Sequence, residues 1–158
     1  TLFELTELGL DFKLIVLGEN YGESPPIFAE AKEKLAKQII HFGYAPDFET
    51  YARLLWQADI LPVTSRQDFF GGSVVEAMYC GVYPLLPNRL AYPEHILSNH
   101  HTQHFYDNTV KFIDLLKRYI NNSPQKKMLK SYVERYNWGQ CINQYDDVFI
   151  RMYEAKMS

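Results

Sequence analysis

Ile60-Leu61-Pro62-Val63-Thr64, then Ser65 to Phe70, Gly71-Gly72-Ser73-Val74-Val75-Glu76-Ala77-Met78-Tyr79-Cys80-Gly81, then Val82-Tyr83-Pro84-Leu85-Leu86-Pro87 is the stretch that decides the fold. A short β-branched run, a polar loop, a glycine pair, a helical apolar pattern stopped by glycine and a second apolar run read as strand, loop, helix and parallel strand. Working outward, the same alternation recurs on both sides. Residues 2–9 finish a helix, and Phe12 to Gly18 is a continuous apolar run of the kind buried on both faces in a parallel sheet. Gly18 to Pro26 is loop. Ile27 to Lys37 carries Phe28, Ala31, Leu35 and Ala36 at helical spacing, followed by a strand at 38–42. Phe48 to Ala58 repeats the helix, with Tyr51, Leu54 and Leu55 on one stripe. The two prolines of 82–87 predict a short strand near the sheet edge. A weak fifth strand is expected at 103–106, then helices at about 109–121, 124–136 and 138–155. No internal repeat or linker-like composition interrupts the pattern. The expectation is one α/β domain over 1–158, a Rossmann-like doubly wound parallel sheet with a helical C-terminal tail.

Composition agrees: 158 residues, 47% apolar and 22% charged, suffice for one packed core and exclude disorder. The longest apolar runs fall far short of the roughly 18 residues a membrane span needs. Cys80 and Cys141 form neither a disulfide framework nor a C-x-x-C pair, which points to a reducing cytoplasm. The net charge of −3 is uneven: residues 111–135 hold seven cations against Asp114 and Glu134. Such a face could orient the molecule on an anionic partner, although a solvated pair of surface helices is the simpler account.

In a parallel α/β sheet, ligands lie beyond the carboxyl ends of the strands. The loop after the third strand is therefore the most informative. Gly71 and Gly72 let a ligand approach the backbone where a helix begins. The first helical amides, at Gly71 to Val74, lack intrahelical partners and suit a diphosphate without any lysine. Glu76, about one turn further on, can accept from neighbouring sugar hydroxyls, and Asp68 stands on the other flank. Acidic acceptors around an amide cradle fit a nucleotide sugar. The competing reading is local: Ser73-x-x-Glu76 is also a capping box, in which Glu76 would bind nothing.

These residues resemble a family. The spacing of Asp68 and Glu76, Phe70-Gly71, Glu76-Ala77-Met78 with Cys80-Gly81, and Pro93-Glu94 after the fourth strand look like the donor-binding C-terminal domain of GT-B glycosyltransferases in the retaining, glycogen-synthase-like clan. Leu17-Gly18, His41-Phe42-Gly43-Tyr44, Ala58-Asp59-Ile60 and Trp138 extend the likeness along most of the chain. Within the clan, Asp68-Phe69-Phe70-Gly71, Tyr79 to Leu85 and Tyr92-Pro93-Glu94 resemble the tRNA-queuosine mannosyltransferase subgroup.

The resemblance implies roles. Glu76 would hold the nucleotide ribose, Asp68 the hydroxyls of the transferred hexose, and the amides of Phe70, Gly71, Gly72 and Ser73 the sugar and diphosphate. Gly43, Tyr44 and Ala45 would meet the base edge, and Gly18 would border the phosphates or simply turn the chain. The donor implied is a nucleotide-diphosphate sugar, GDP-mannose for the subgroup, with no prosthetic group and no metal. The acceptor would be a queuosine-bearing tRNA. An N-terminal acceptor domain of the same protein, and an Arg and Lys clamping the diphosphate, would lie before Thr1, so the fragment alone would be inactive. Two departures stand out: Asp68 replaces a usual Glu, and Leu90-Ala91-Tyr92 replaces a glycine pair before Pro-Glu. The alternative is a non-catalytic α/β nucleotide-binding or regulatory module.

Other motifs read as structure. His100-His101-x-x-His104 lacks an accompanying Cys or carboxylate pattern and reads as a solvated loop. Asp47 reads as a helix cap, Cys80 as a buried thiol, and Trp138 with Tyr145, Phe149 and Tyr153 as a core stripe.

Overall fold

A computed structural model describes residues 1–18, 22, 25–96, 101–126 and 129–157. The deciding stretch folds as read. Strand β3 (Ile60–Pro62) leads through the loop to helix α4 (Gly72–Tyr79), which returns the chain to β4 (Tyr83–Pro87), parallel to β3 with Ile60 opposite Tyr83. Gly71, in the left-handed region at φ 83°, starts the helix, and Gly81, also at φ 83°, ends its exit turn. Strands β1 (Leu14–Leu17) and β2 (Ile39–Gly43) are likewise parallel, joined through α2 (Pro26–Lys34). Helix α3 (Phe48–Gln57) connects β2 to β3 and is opened by Asp47, whose Oδ1 accepts from Thr50 N–H at 2.7 Å. The Asp47 cap is therefore present.

Helices flank the strands. Leu5 of α1 (Leu2–Glu7) packs with Leu85 of β4 and with Phe112 and Leu116 of α6 (Thr109–Asn121). Leu86, pointing the other way on the pleat, joins Val74 and Met78 of α4 and Leu129, Tyr132 and Val133 of α7 (Leu129–Val133). This is the expected Rossmann-like α/β arrangement with a helical tail.

Several details differ from the sequence reading. The strands form two hydrogen-bonded pieces, β1 with β2, and β3 with β4 and a two-residue β5 (Phe105–Tyr106). Between the pieces lies a cleft of about 1260 Å³, walled by residues 14–17 of β1 with Gly18 after it, by 60–62 of β3 and by side chains of α3 and α6. Strand β4 is central in its sheet and wholly buried, not an edge. Its prolines are tolerated because Tyr83 and Leu85 make the ladder with β3, through Tyr83 N–H to Asp59 O and Val63 N–H to Leu85 O, each 2.9 Å. Pro84 turns its missing donor toward β5, where pairing begins only at Leu86. The expected helix at 124–136 is shorter, namely α7 plus a 3-10 turn at Glu134–Tyr136.

His104 closes the short helix α5 (His101–His104), and far from being solvated it is buried, its ring stacked on Tyr83 at 4.2 Å and Nδ1 3.1 Å from Pro84 O. His100 lies outside the described residues, as does the side chain of His101. The largest correction concerns α8 (Trp138–Met157). Trp138, Tyr145, Phe149 and Tyr153 are between 52% and 66% exposed, so the stripe covers one helix face without entering the core. Four-residue spacing creates an amphipathic face whether or not anything packs against it.

Candidate functional site

The carboxyl ends of the strands converge. Gly18 N–H donates to Gly43 O at 3.2 Å, tying the exits of β1 and β2 together, and Gly43 takes φ 126° to turn the chain into Tyr44 and Ala45. Gly18, Tyr44, Ala45 and Ser73 line the large cleft together with Asp47, Phe48 and Tyr51. Glu76 lines a smaller neighbouring cavity of about 250 Å³ with Phe48 and Tyr51. Asp68, Phe70, Gly71, Gly72 and Gly43 line neither cavity.

The capping-box alternative for Glu76 is not what the helix uses. The N-cap of α4 is Gly71, with no side-chain cap, which puts Ser73 inside the helix. Glu76 Oε2 accepts instead from the Tyr51 hydroxyl at 2.7 Å. Burial first, then the Glu76 hydrogen bond and charge, push the Tyr51 phenol far up, so it remains a donor at neutral pH. Tyr51 thus holds one carboxylate oxygen in place and leaves lone pairs for other donors.

Asp68 stands on the opposite flank and is committed to its own loop. Its Oδ1 accepts from Gly71 N–H at 2.8 Å and its Oδ2 from the Tyr92 hydroxyl at 3.0 Å. A carboxylate offers about four lone-pair positions, so two remain for a ligand. Gly71 N–H, by contrast, is occupied. Val74 N–H reaches back to Gly71 O at 2.9 Å, which leaves the Gly72 and Ser73 amides as the open donors at the start of α4. A Cβ on Gly71 would lie 3.1 Å from Tyr92 Cε1, so glycine is required for close packing as well as for φ.

The loop after β4 supplies His95, which sequence reasoning passed over, beside Tyr92, quoted above only for the family likeness. A 3-10 turn at Tyr92–His95 buries both Tyr92 and His95 beneath the diglycine. His95 Nε2 is 2.6 Å from Phe70 O, and its Nδ1 is 3.0 Å from the Tyr136 hydroxyl. Leu90 adopts φ 58°, a left-handed conformation that glycine takes more readily. The glycine-like backbone is kept at a strain that for an ordinary residue is about 1–2 kcal/mol. Tyr51 could have been found from its place in the first turn of the helix that follows β2, since that turn abuts the strand exits. His95, adjacent to Pro93-Glu94, carried no periodic signal.

The remaining candidates are quiet. Burial, then the Glu76 charge, raises the Cys80 thiol, so it is protonated and a poor nucleophile. Among the described residues, no group of three His, Cys, Asp or Glu side chains is placed to hold a metal, and no helix is long and apolar enough to cross a membrane. The basic face is largely engaged within the molecule. Lys111 pairs with Asp107, Lys117 with Glu4, Lys126 with Asp59 at 2.7 Å, and Lys130 with Glu134, while Arg135 donates to Glu94 O.

An amide-lined helix start, a carboxylate one turn on and a second carboxylate across the loop lie together at one end of parallel strands in a Rossmann-like α/β domain. The chain belongs to the family described as glycosyl transferases group 1, which it matches over residues 2–136. Over 94 residues, 60% of its length, it is 42% identical to the tRNA-queuosine alpha-mannosyltransferase of Drosophila melanogaster. Those residues amount to 25% of that protein, so the chain spans about a quarter of the length of this curated relative.

Proposed function

We propose that this chain is the donor-binding domain of a retaining glycosyltransferase that moves mannose from GDP-mannose to a queuosine-bearing tRNA. The observation that carries the reading is Glu76, free of any capping role, oriented by Tyr51 and one turn from the open Gly72 and Ser73 amides. Family membership supports a nucleotide-sugar donor, and the relative's name supports mannose and tRNA. Glu76 accepts from the ribose hydroxyls, and the Gly72 and Ser73 amides meet the diphosphate. The spare lone pairs of Asp68 accept from hexose hydroxyls, and the turn at Gly43, Tyr44 and Ala45 faces the base. The domain's chemical contribution is electrostatic stabilisation of the departing diphosphate by fixed amides.

The acceptor domain belongs to the remainder of the protein, in the cytoplasm, and the 158 residues alone transfer nothing.

The test supplies the full-length protein with labelled GDP-mannose and tRNA carrying queuosine, and measures label in the tRNA. Transfer that Glu76→Gln weakens through a raised donor KM supports the reading. Donor binding without transfer to any acceptor would leave a non-catalytic nucleotide-binding module, and absence of nucleotide binding would overturn the site itself.

A further inference from the structure

The Phe70–Gly71 peptide is gripped at both ends. Its N–H is taken by Asp68 Oδ1 at 2.8 Å, and its carbonyl lies 2.6 Å from His95 Nε2. Orientation of this one peptide plane sets where α4 begins, and so where the Gly72 and Ser73 amides point. His95 is 1% exposed, and the rings of Phe70 and Tyr136 meet it edge to face at 5.1 and 5.5 Å. Beyond it the chain of contacts continues: His95 Nδ1 to the Tyr136 hydroxyl at 3.0 Å, then Tyr136 to Arg135 Nη2 at 2.8 Å.

Donor and acceptor capacities together with burial assign the protons. A carbonyl only accepts, so His95 Nε2 carries a hydrogen. A guanidinium only donates, so the Tyr136 oxygen accepts from Arg135; burial disfavours a charged ring, which leaves Nδ1 unprotonated and accepting the Tyr136 hydrogen. The imidazole is then neutral, and hydrogen bonds run in one direction from Arg135 through Tyr136 and His95 to Phe70 O. Protonating Nδ1 would bury a second positive charge near Arg135 and reverse the middle link, with the Tyr136 oxygen accepting from both.

We propose that His95, as the neutral Nε2–H tautomer fixed by Tyr136 and Arg135, is a positioning residue that aims the α4 amides at the donor diphosphate. The inference rests on the donor-site reading above and extends it, because it places control of those amides in a turn 25 residues away. Tyr136 and Arg135 serve the same end by fixing the tautomer.

The experiment uses the full-length protein, with GDP and guanosine as probes. His95→Phe keeps a ring but removes both nitrogens. It should weaken GDP about tenfold, the usual scale for losing a charge-assisted contact, and leave guanosine within about twofold. His95→Gln can still offer an amide N–H to Phe70 O and should recover most of the GDP affinity. An equal loss for both probes, or a lower melting temperature with unchanged GDP binding, would reduce His95 to a packing residue. Nitrogen NMR of the imidazole gives an independent check: protonation at Nδ1 at pH 7 overturns the tautomer assignment while leaving the donor site standing. If the wild-type protein binds neither GDP nor guanosine, the donor-site reading fails and this inference with it.

Discussion

Replacing Glu76 by Gln tests the centre of the site with the least structural disturbance. The amide is the same size and its oxygen can still accept the Tyr51 hydroxyl, now 2.7 Å from Oε2, so the side chain keeps its tether. What disappears is the negative charge. Hydrogen bonds to charged groups contribute about 1.5–3 kcal/mol against about 0.5–1.5 for neutral ones. Two ribose hydroxyls facing Gln instead of Glu should therefore cost about 1–3 kcal/mol, or roughly 5- to 150-fold in nucleotide affinity. Stability should hardly move. The N-cap of α4 is Gly71 and no side chain caps the helix, so no capping energy is at risk. Had Glu76 closed a capping box, a change there would cost about 1 kcal/mol, or about 2–4 °C in a protein of this size. Calorimetry with GDP on the full-length variant, beside melting curves, separates the cases. A double-mutant cycle of Glu76→Ala with Tyr51→Phe should show coupling of about 1 kcal/mol in binding, because Tyr51 donates its hydroxyl to Glu76. Unchanged affinity with a lowered melting temperature would refute the ribose role and restore the cap.

Asp68→Asn should behave differently: Asn can still accept from Gly71 N–H, so affinity for GDP stays nearly constant while affinity for GDP-mannose falls by about 1 kcal/mol; equal losses in titrations of both ligands would refute the division of roles. The pH dependence of stability should carry a His95 component. Burial, chiefly, holds this imidazole below its ordinary 6.5; the Phe70 carbonyl opposes it, the nearby Arg135 charge adds to it, and Glu94 and Asp68 oppose it more weakly, with Tyr136 on the remaining nitrogen. Below about pH 6.5 the unfolded chain binds a proton that the folded one refuses, so stability is full above that pH and falls as pH drops toward the lowered folded value. Urea midpoints at pH 7.5 and 5.5 should differ more for the wild type than for His95→Gln, and identical differences would remove His95 from the acid response.

The sequence by itself determined the alternation of strands and helices, because a parallel sheet buried on both faces needs continuous apolar runs and the glycines at 71 and 81 mark where a helix can start and stop. It also determined the family likeness, since Asp68, Phe70-Gly71 and Glu76 lie within nine consecutive residues. Only the tertiary structure decided what those groups do with their hydrogen bonds. Glu76 turns away from Ser73 to a tyrosine 25 positions back, Asp68 shares itself between Gly71 and a tyrosine 24 positions on, and His95 bridges Phe70 to Tyr136, 41 positions further along. The same holds for the core: His104 and the proline-bearing β4 are buried, while the aromatic face of α8 stays open. Periodicity records which residues share a face, through fixed 2.0 and 3.6 residue repeats, but whether that face is covered, and by which partner, depends on packing between segments distant in the chain.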